Sequence, residues 1–241
     1  MSRIMHKDKE EALDYLNDFK LFVKDVKDTD IVLAVPFTLL ETISRECKGT
    51  NIKVSAQNLY FEEKGAFTGE ISAKMIKDFA DYVIIGHSER RKYFNETDYI
   101  LNKKIITALK HGLKVIYCVG ETLEQRNNMQ TNSVIETQVR EGISGLTPKQ
   151  MENIIIAYEP VWAIGTGNTA QPKEADDVHR FIRELIAELY TQELADNLRI
   201  IYGGSVNPDN AAEILIMENI DGCLPGGASL DPIKLSKIIK S

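Results

Sequence analysis

Ala157–Gly167 reads AYEPVWAIGTG. It opens at the end of Asn153–Tyr158, an apolar run whose pattern predicts a strand buried on both faces. Glu159 falls where that strand ends, and Pro160, which has no N–H to give, stops the pairing. Apolar Val161, Trp162, Ala163 and Ile164 follow, then Gly165 and Gly167. A carboxylate at a strand end, ahead of an apolar segment with glycines behind it, suits a base under a movable lid that excludes water. Taken alone, the same residues also suit a solvated Glu in an ordinary loop. What stands at the other strand ends decides between the two.

Outward from that stretch the chain alternates. The predicted strands are Ile31–Val35, Val54–Gln57, Tyr82–Ile85, Lys114–Val119, Asn153–Tyr158, Arg199–Tyr202 and a short Gly222–Leu224. Between them, helical spacing covers Lys9–Val26, Leu39–Cys47, Ser72–Phe79, a helix capped by Asn95 or Thr97 and running to His111, one beginning after Glu124, then Glu174–Glu193, Asn210–Met217 and Pro232–Ile239. Strict strand–helix alternation with short connections argues for a parallel sheet. Short strands that are apolar throughout fit a closed barrel wrapped by helices. A doubly wound open sheet is the alternative, but no G-x-G-x-x-G follows the first strand. Nothing linker-like interrupts the pattern, so residues 1–241 read as one domain.

The composition narrows the function. The chain has 241 residues, 43% of them hydrophobic, and a net charge of -7. An acidic balance argues against nucleic acid or an anionic membrane as partner, although a local site on an acidic protein can still take a small anion. Cys47, Cys118 and Cys223 lie far apart, so neither a zinc site nor a disulfide framework is expected, and a reducing cytosol is the simplest location. The N-terminus is polar from His6 onward and does not read as a signal peptide. No apolar run reaches the length of a membrane span.

In parallel α/β folds ligands bind beyond the carboxyl ends of the strands. There the sequence places Gly86-His87-Ser88-Glu89, Gly120-Glu121, Glu159 with its lid, Gly203-Gly204-Ser205, and Pro225-Gly226-Gly227-Ala228-Ser229. Glycines at two neighbouring strand ends, with Gly165, can offer several bare N–H groups to one anion, as in a phosphate nest. His87 directly follows a strand and precedes a helical turn. A helix N-terminus disfavours imidazolium, so His87 is expected to be neutral and able to donate one N–H to a developing oxyanion.

AYEPVWAIGTG, IGHSERR, CVGETLEQR, YGGSVNP and GGASL stand in the order and spacing of the triosephosphate isomerase family, which the chain resembles from about Met5 to its end. The family is itself the standard example of a Glu base paired with a neutral His under a closing loop. The resemblance implies a (β/α)8 TIM barrel and isomerisation of a small phosphorylated triose, with no cofactor and no metal. It implies that Glu159 moves a proton between neighbouring carbons while His87 polarises the carbonyl. Gly165, Ser205, Gly226 and Gly227 would hold the phosphate, Glu121 and Trp162 would pair in the open lid, and Cys118 would pack behind Glu159. The loop at Gly65–Glu70 resembles the family's dimer arm, which places Thr68 near the partner's site and implies a homodimer.

The chain departs from the family at two places. The family begins with a strand ending in Asn-x-Lys, and here Ser2 and Ile4 fall at the Asn and Lys positions, so the first barrel strand is expected to be truncated or absent. Glu89 resembles the partner of that lysine and would lack its cation. Losing one preorganised donor costs about 3 kcal/mol of transition-state stabilisation. Pro225 stands where the family has a small apolar residue and removes an N–H beside the nest. An active isomerase and a homologue that binds phosphate without efficient turnover both fit these departures. A different phosphosugar barrel enzyme is a third reading, with no reason to carry IGHSERR and AYEPVWAIGTG together.

Overall fold

The computed structural model describes residues 6–164 and 170–241; Ser2, Ile4 and Gly165 lie outside the described residues. Six parallel strands form one sheet in sequence order: β1 (Ile31–Val35), β2 (Ile52–Ala56), β3 (Tyr82–Ile85), β4 (Lys114–Val119), β5 (Ile154–Tyr158) and β6 (Arg199–Tyr202). Every crossover between them contains helix. A sheet whose spatial order equals its sequence order results when each right-handed crossover steps to the next strand on the same side.

The run expected as a seventh strand, Gly222–Leu224, is only a single parallel bridge from Cys223 to Tyr202. Two backbone bonds hold it: Tyr202 N donates to Gly222 O at 2.9 Å and Leu224 N to Tyr202 O at 2.8 Å. Pro225 has no N–H to extend the ladder, while on the other side Asp221 N still donates to Ile200 O at 2.9 Å.

The sheet curls on itself. Ala34 of β1, Ile84 of β3, Cys118 of β4, Ala157 of β5 and Leu224 beyond β6 belong to one buried apolar cluster on its inner face. Asp30, just ahead of β1, pairs with Arg199 at the start of β6. The first and last strands can share these contacts only if the sheet bends toward closure.

The helices cover the outer face. Lys9–Val23 starts at a capping box between Asp8 and Glu11 and buries Ala12, Tyr15, Leu16, Phe19 and Val23. That spacing makes one stripe, which packs on Pro232–Ile239. Burying side chains such as Leu16 and Phe19 contributes about 2 kcal/mol each. The stretch expected as one helix over Glu174–Glu193 is two, Pro172–Leu189 and Gln192–Asn197. Tyr190 leaves the helical region at φ -131 and ψ -99, and Thr191 caps a new start by accepting from Leu194 N. The helix expected after Glu124 also divides, into Leu123–Asn127 and Thr131–Gly142, with Met129 at φ 56 between them.

Candidate active site

β5 ends at Tyr158, and the next residue is held in register with β4 because Glu159 N donates to Val119 O at 2.7 Å. This fixes the base of the Glu159 side chain, which is 2% exposed. Two glycines make room for it. A Cβ on Gly120 would lie 1.8 Å from Glu159 O, and one on Gly203 would lie 2.7 Å from Glu159 Cγ. The strand-end glycines therefore do two jobs. Gly120 and Gly203 allow close approach to Glu159, a requirement set by neighbouring strands that the linear sequence does not display.

Glu159 and His87 meet. His87 Nε2 lies 3.0 Å from Glu159 Oε1. That nitrogen stands off the line an N–H would need, so Oε1 has no aligned hydrogen-bond donor among the described residues. Glu159 Oε2 accepts from the backbone N–H of Ser88 at 2.9 Å. Ser88 was not among the expected site residues, since a backbone donor carries no side-chain signal.

His87 caps the helix Ser88–Phe94, and its Nδ1 accepts from Glu89 N at 3.3 Å. A ring nitrogen that accepts an amide hydrogen holds no proton, so in a neutral imidazole the proton sits on Nε2. Glu89 Oε2 lies 3.7 Å from the same Nδ1, too far to compete with the amide. Glu89 also lines the cleft.

Glu121 follows β4 by two residues and is fully buried. Its Oε1 accepts from Trp162 Nε1 at 2.8 Å, and the Tyr158 hydroxyl lies 3.2 Å and 3.1 Å from its two oxygens. Burial pushes the Glu121 carboxyl up, and the hydrogen bonds from Trp162 and Tyr158 oppose that shift. The structure thus joins Glu121 to Trp162, as expected, and adds Tyr158 as a further donor. Cys118 is fully buried behind Glu159, and its thiol is pushed well above the ordinary range, first by burial and then by the Glu159 carboxylate. A thiol so far from ionising suits packing and not nucleophilic attack.

A cleft of about 1110 Å³ opens here, lined by His87, Glu159, Ile164, Ser205, Gly226 and Gly227 among others. Arg90, Lys234 and Lys237 put positive charge on its wall. Ser205 Oγ donates to Ala163 O at 2.7 Å, tying the β6 loop to the segment after Glu159. The N–H groups of Ser205, Gly226 and Gly227 donate to no acceptor among the described residues. Gly226 is fixed from the far side, where Ser229 Oγ donates to its carbonyl at 2.5 Å. Thr68 stands elsewhere, on the exposed tip of a loop. The base of that loop is anchored by Tyr60 N donating to Ile71 O at 2.8 Å and by the Tyr60 and Phe67 rings 4.8 Å apart. No group of acidic, His and Cys residues among those described is arranged to hold a metal ion, and no described helix is long and apolar enough to cross a membrane.

Fold and site together define a parallel α/β protein with a carboxylate–imidazole pair in a cleft at the carboxyl ends of its strands. A family model described as triosephosphate isomerase matches residues 4–241. The triosephosphate isomerase of Acetivibrio thermocellus is 52% identical over 237 residues, covering 98% of this chain and 94% of that protein. That of Clostridium perfringens strain SM101 is 50% identical over 98% of this chain and 95% of that protein. That of Geotalea uraniireducens is 47% identical over 98% and 94%. The chain belongs to the triosephosphate isomerase family.

Proposed function

We propose that this chain interconverts dihydroxyacetone phosphate and D-glyceraldehyde 3-phosphate through an enediolate, on one (β/α)8 domain spanning residues 1–241. The contact that carries the reading is His87 Nε2 at 3.0 Å from Glu159 Oε1, with the proton on that nitrogen. Glu159 is the base. It removes a proton from the carbon beside the substrate carbonyl and returns it to the neighbouring carbon. His87 donates Nε2–H to the carbonyl oxygen, where negative charge develops. Ser88 N–H holds Oε2 in the free protein, so the carboxylate must leave that donor to reach the substrate.

The N–H groups of Ser205, Gly226 and Gly227, which meet no acceptor among the described residues, suit a phosphate, and Gly165 joins them by family resemblance. Glu121 holds Trp162 while the lid is open. Carbonyl chemistry of this kind needs acid and base groups alone, so the proposal includes no metal or cofactor. The exposed arm carrying Thr68, with Phe67 41% exposed next to it in sequence, supports a homodimer. The cytoplasm is the proposed location.

Ile4, at the family's lysine position, favours a second reading in which phosphate ligands bind with poor turnover. A coupled assay on the purified protein, run beside phosphoglycolate binding, separates the two. Turnover of dihydroxyacetone phosphate supports the isomerase. Tight phosphoglycolate binding with no turnover supports the second reading and overturns the first.

A further inference from the structure

Arg126 lies in the short helix Leu123–Asn127, which a Thr122–Gln125 capping box starts. Its guanidinium makes three contacts at once. The carbon Cζ sits 4.1 Å from the centre of the Trp162 ring. Its NH1 lies 3.7 Å from Glu121 Oε1, the oxygen that accepts from Trp162. Its NH2 donates to Glu174 Oε1 at 2.9 Å.

Trp162 and Glu174 belong to different flanks of one segment. Trp162 is in the turn Val161–Ala163, just after Glu159. Glu174 is in the first turn of Pro172–Leu189, and its Oε2 accepts from Gln171 N at 3.2 Å, fixing the residue that leads into that helix. One side chain from a neighbouring short helix therefore touches residues on both sides of the segment that follows the base.

We propose that Arg126 is a positioning residue that ties the two flanks of the lid together and sets the resting position of Trp162. The word lid rests on the isomerase reading; the tie itself does not. Arginine suits the task because a planar guanidinium can stack on an indole and donate in its own plane at the same time. Lysine offers a point charge and cannot do both. Arg126 touches no substrate group, so its effect on turnover is indirect. When the flanks loosen, a smaller fraction of molecules holds the competent arrangement, and apparent affinity falls by that fraction.

Trp162 is the one tryptophan in the sequence, so tryptophan fluorescence, excited beyond the tyrosine absorption band, reports on this position alone. The test is acrylamide quenching of the free protein in wild type, Arg126→Gln, Arg126→Lys, Glu174→Gln and the Arg126→Gln/Glu174→Gln double variant, with far-UV circular dichroism to show that each is folded. Quenching should rise about twofold in Arg126→Gln, less in Glu174→Gln, and no further in the double variant, because both act through one contact. Arg126→Lys should not restore the wild-type value. In turnover, Arg126→Gln should raise KM about threefold to tenfold with kcat within about twofold.

Unchanged quenching in Arg126→Gln, additive effects in the double variant, or full rescue by lysine would each overturn the tie. If the wild type itself fails to turn over, the isomerase reading falls, and the fluorescence series still decides the role of Arg126.

Discussion

Glu121 and Glu159 stand at the ends of neighbouring strands, and both are almost fully buried. Their surroundings differ. Glu121 accepts from Trp162 and Tyr158, with Arg126 beside it. Among the described residues, Glu159 has a backbone donor on Oε2, while Oε1 lies beside an imidazole without an aligned bond. Burial of a carboxylate costs free energy unless donors satisfy it. At the end of β4 that cost is met and the group is locked. At the end of β5 the described residues meet it only in part. On the proposed reading, the same residue type at the same depth serves as a latch in one place and a base in the other, with the surrounding donors setting the two roles apart.

The contrast breaks most visibly at Glu159. Glu159→Gln keeps the size and the Ser88 contact but cannot accept the substrate proton. It should lower kcat about 10³-fold or more in the coupled assay. A loss of less than about tenfold would place the base elsewhere.

The polar surroundings of the latch extend to His179, whose ring meets Tyr158 edge-on at 5.8 Å and is fully buried. Burial lowers its pKa from 6.5 to about 4, a shift opposed by a hydrogen bond with the backbone of Asn219. The unfolded chain therefore binds a proton that the folded chain refuses between those values. Stability from this group is complete above pH 6.5 and falls as the pH drops toward 4, by up to about 3 kcal/mol. Chemical denaturation at pH 7 and pH 4.5 should show a smaller acid-side loss in His179→Gln than in wild type. Equal losses would remove His179 from the account.

The smallest effect belongs to the latch itself. Glu121→Gln retains acceptors for Trp162 and Tyr158 and loses the charge facing Arg126. It should shift Trp162 fluorescence while changing kcat by about threefold or less. A loss as large as that of Glu159→Gln would erase the distinction between the two carboxylates.

Much of this was legible in the sequence. The apolar runs before Gly86, Gly120, Glu159 and Gly203 mark four strand ends, and His87, Glu159 and Gly203 from three of them line one cleft. Glu159, His87, Glu121 and Trp162 stood out in the sequence because each carries a distinctive side chain at or just after a strand end, and the structure brings Glu159 beside His87 and Glu121 beside Trp162. Contacts across the fold were not legible. Ser88 acts through an amide, and Gly120 matters because another strand's carbonyl passes 1.8 Å from where its Cβ would be. Arg126 reads as an ordinary helical charge until Glu174, 48 residues later, is seen beside it. The helix break at Tyr190 follows from Thr191 capping a new turn, a local bond that apolar spacing does not register.

The most direct test of the central claim, that Glu159 shuttles a proton while neutral His87 polarises the carbonyl, is turnover of dihydroxyacetone phosphate in deuterium oxide followed by proton NMR. Wild-type protein should place deuterium on the carbon that gains hydrogen, because a carboxylate exchanges its proton with solvent between the two transfers. Product formed with no deuterium at that carbon, or equal incorporation by Glu159→Gln, would contradict the account.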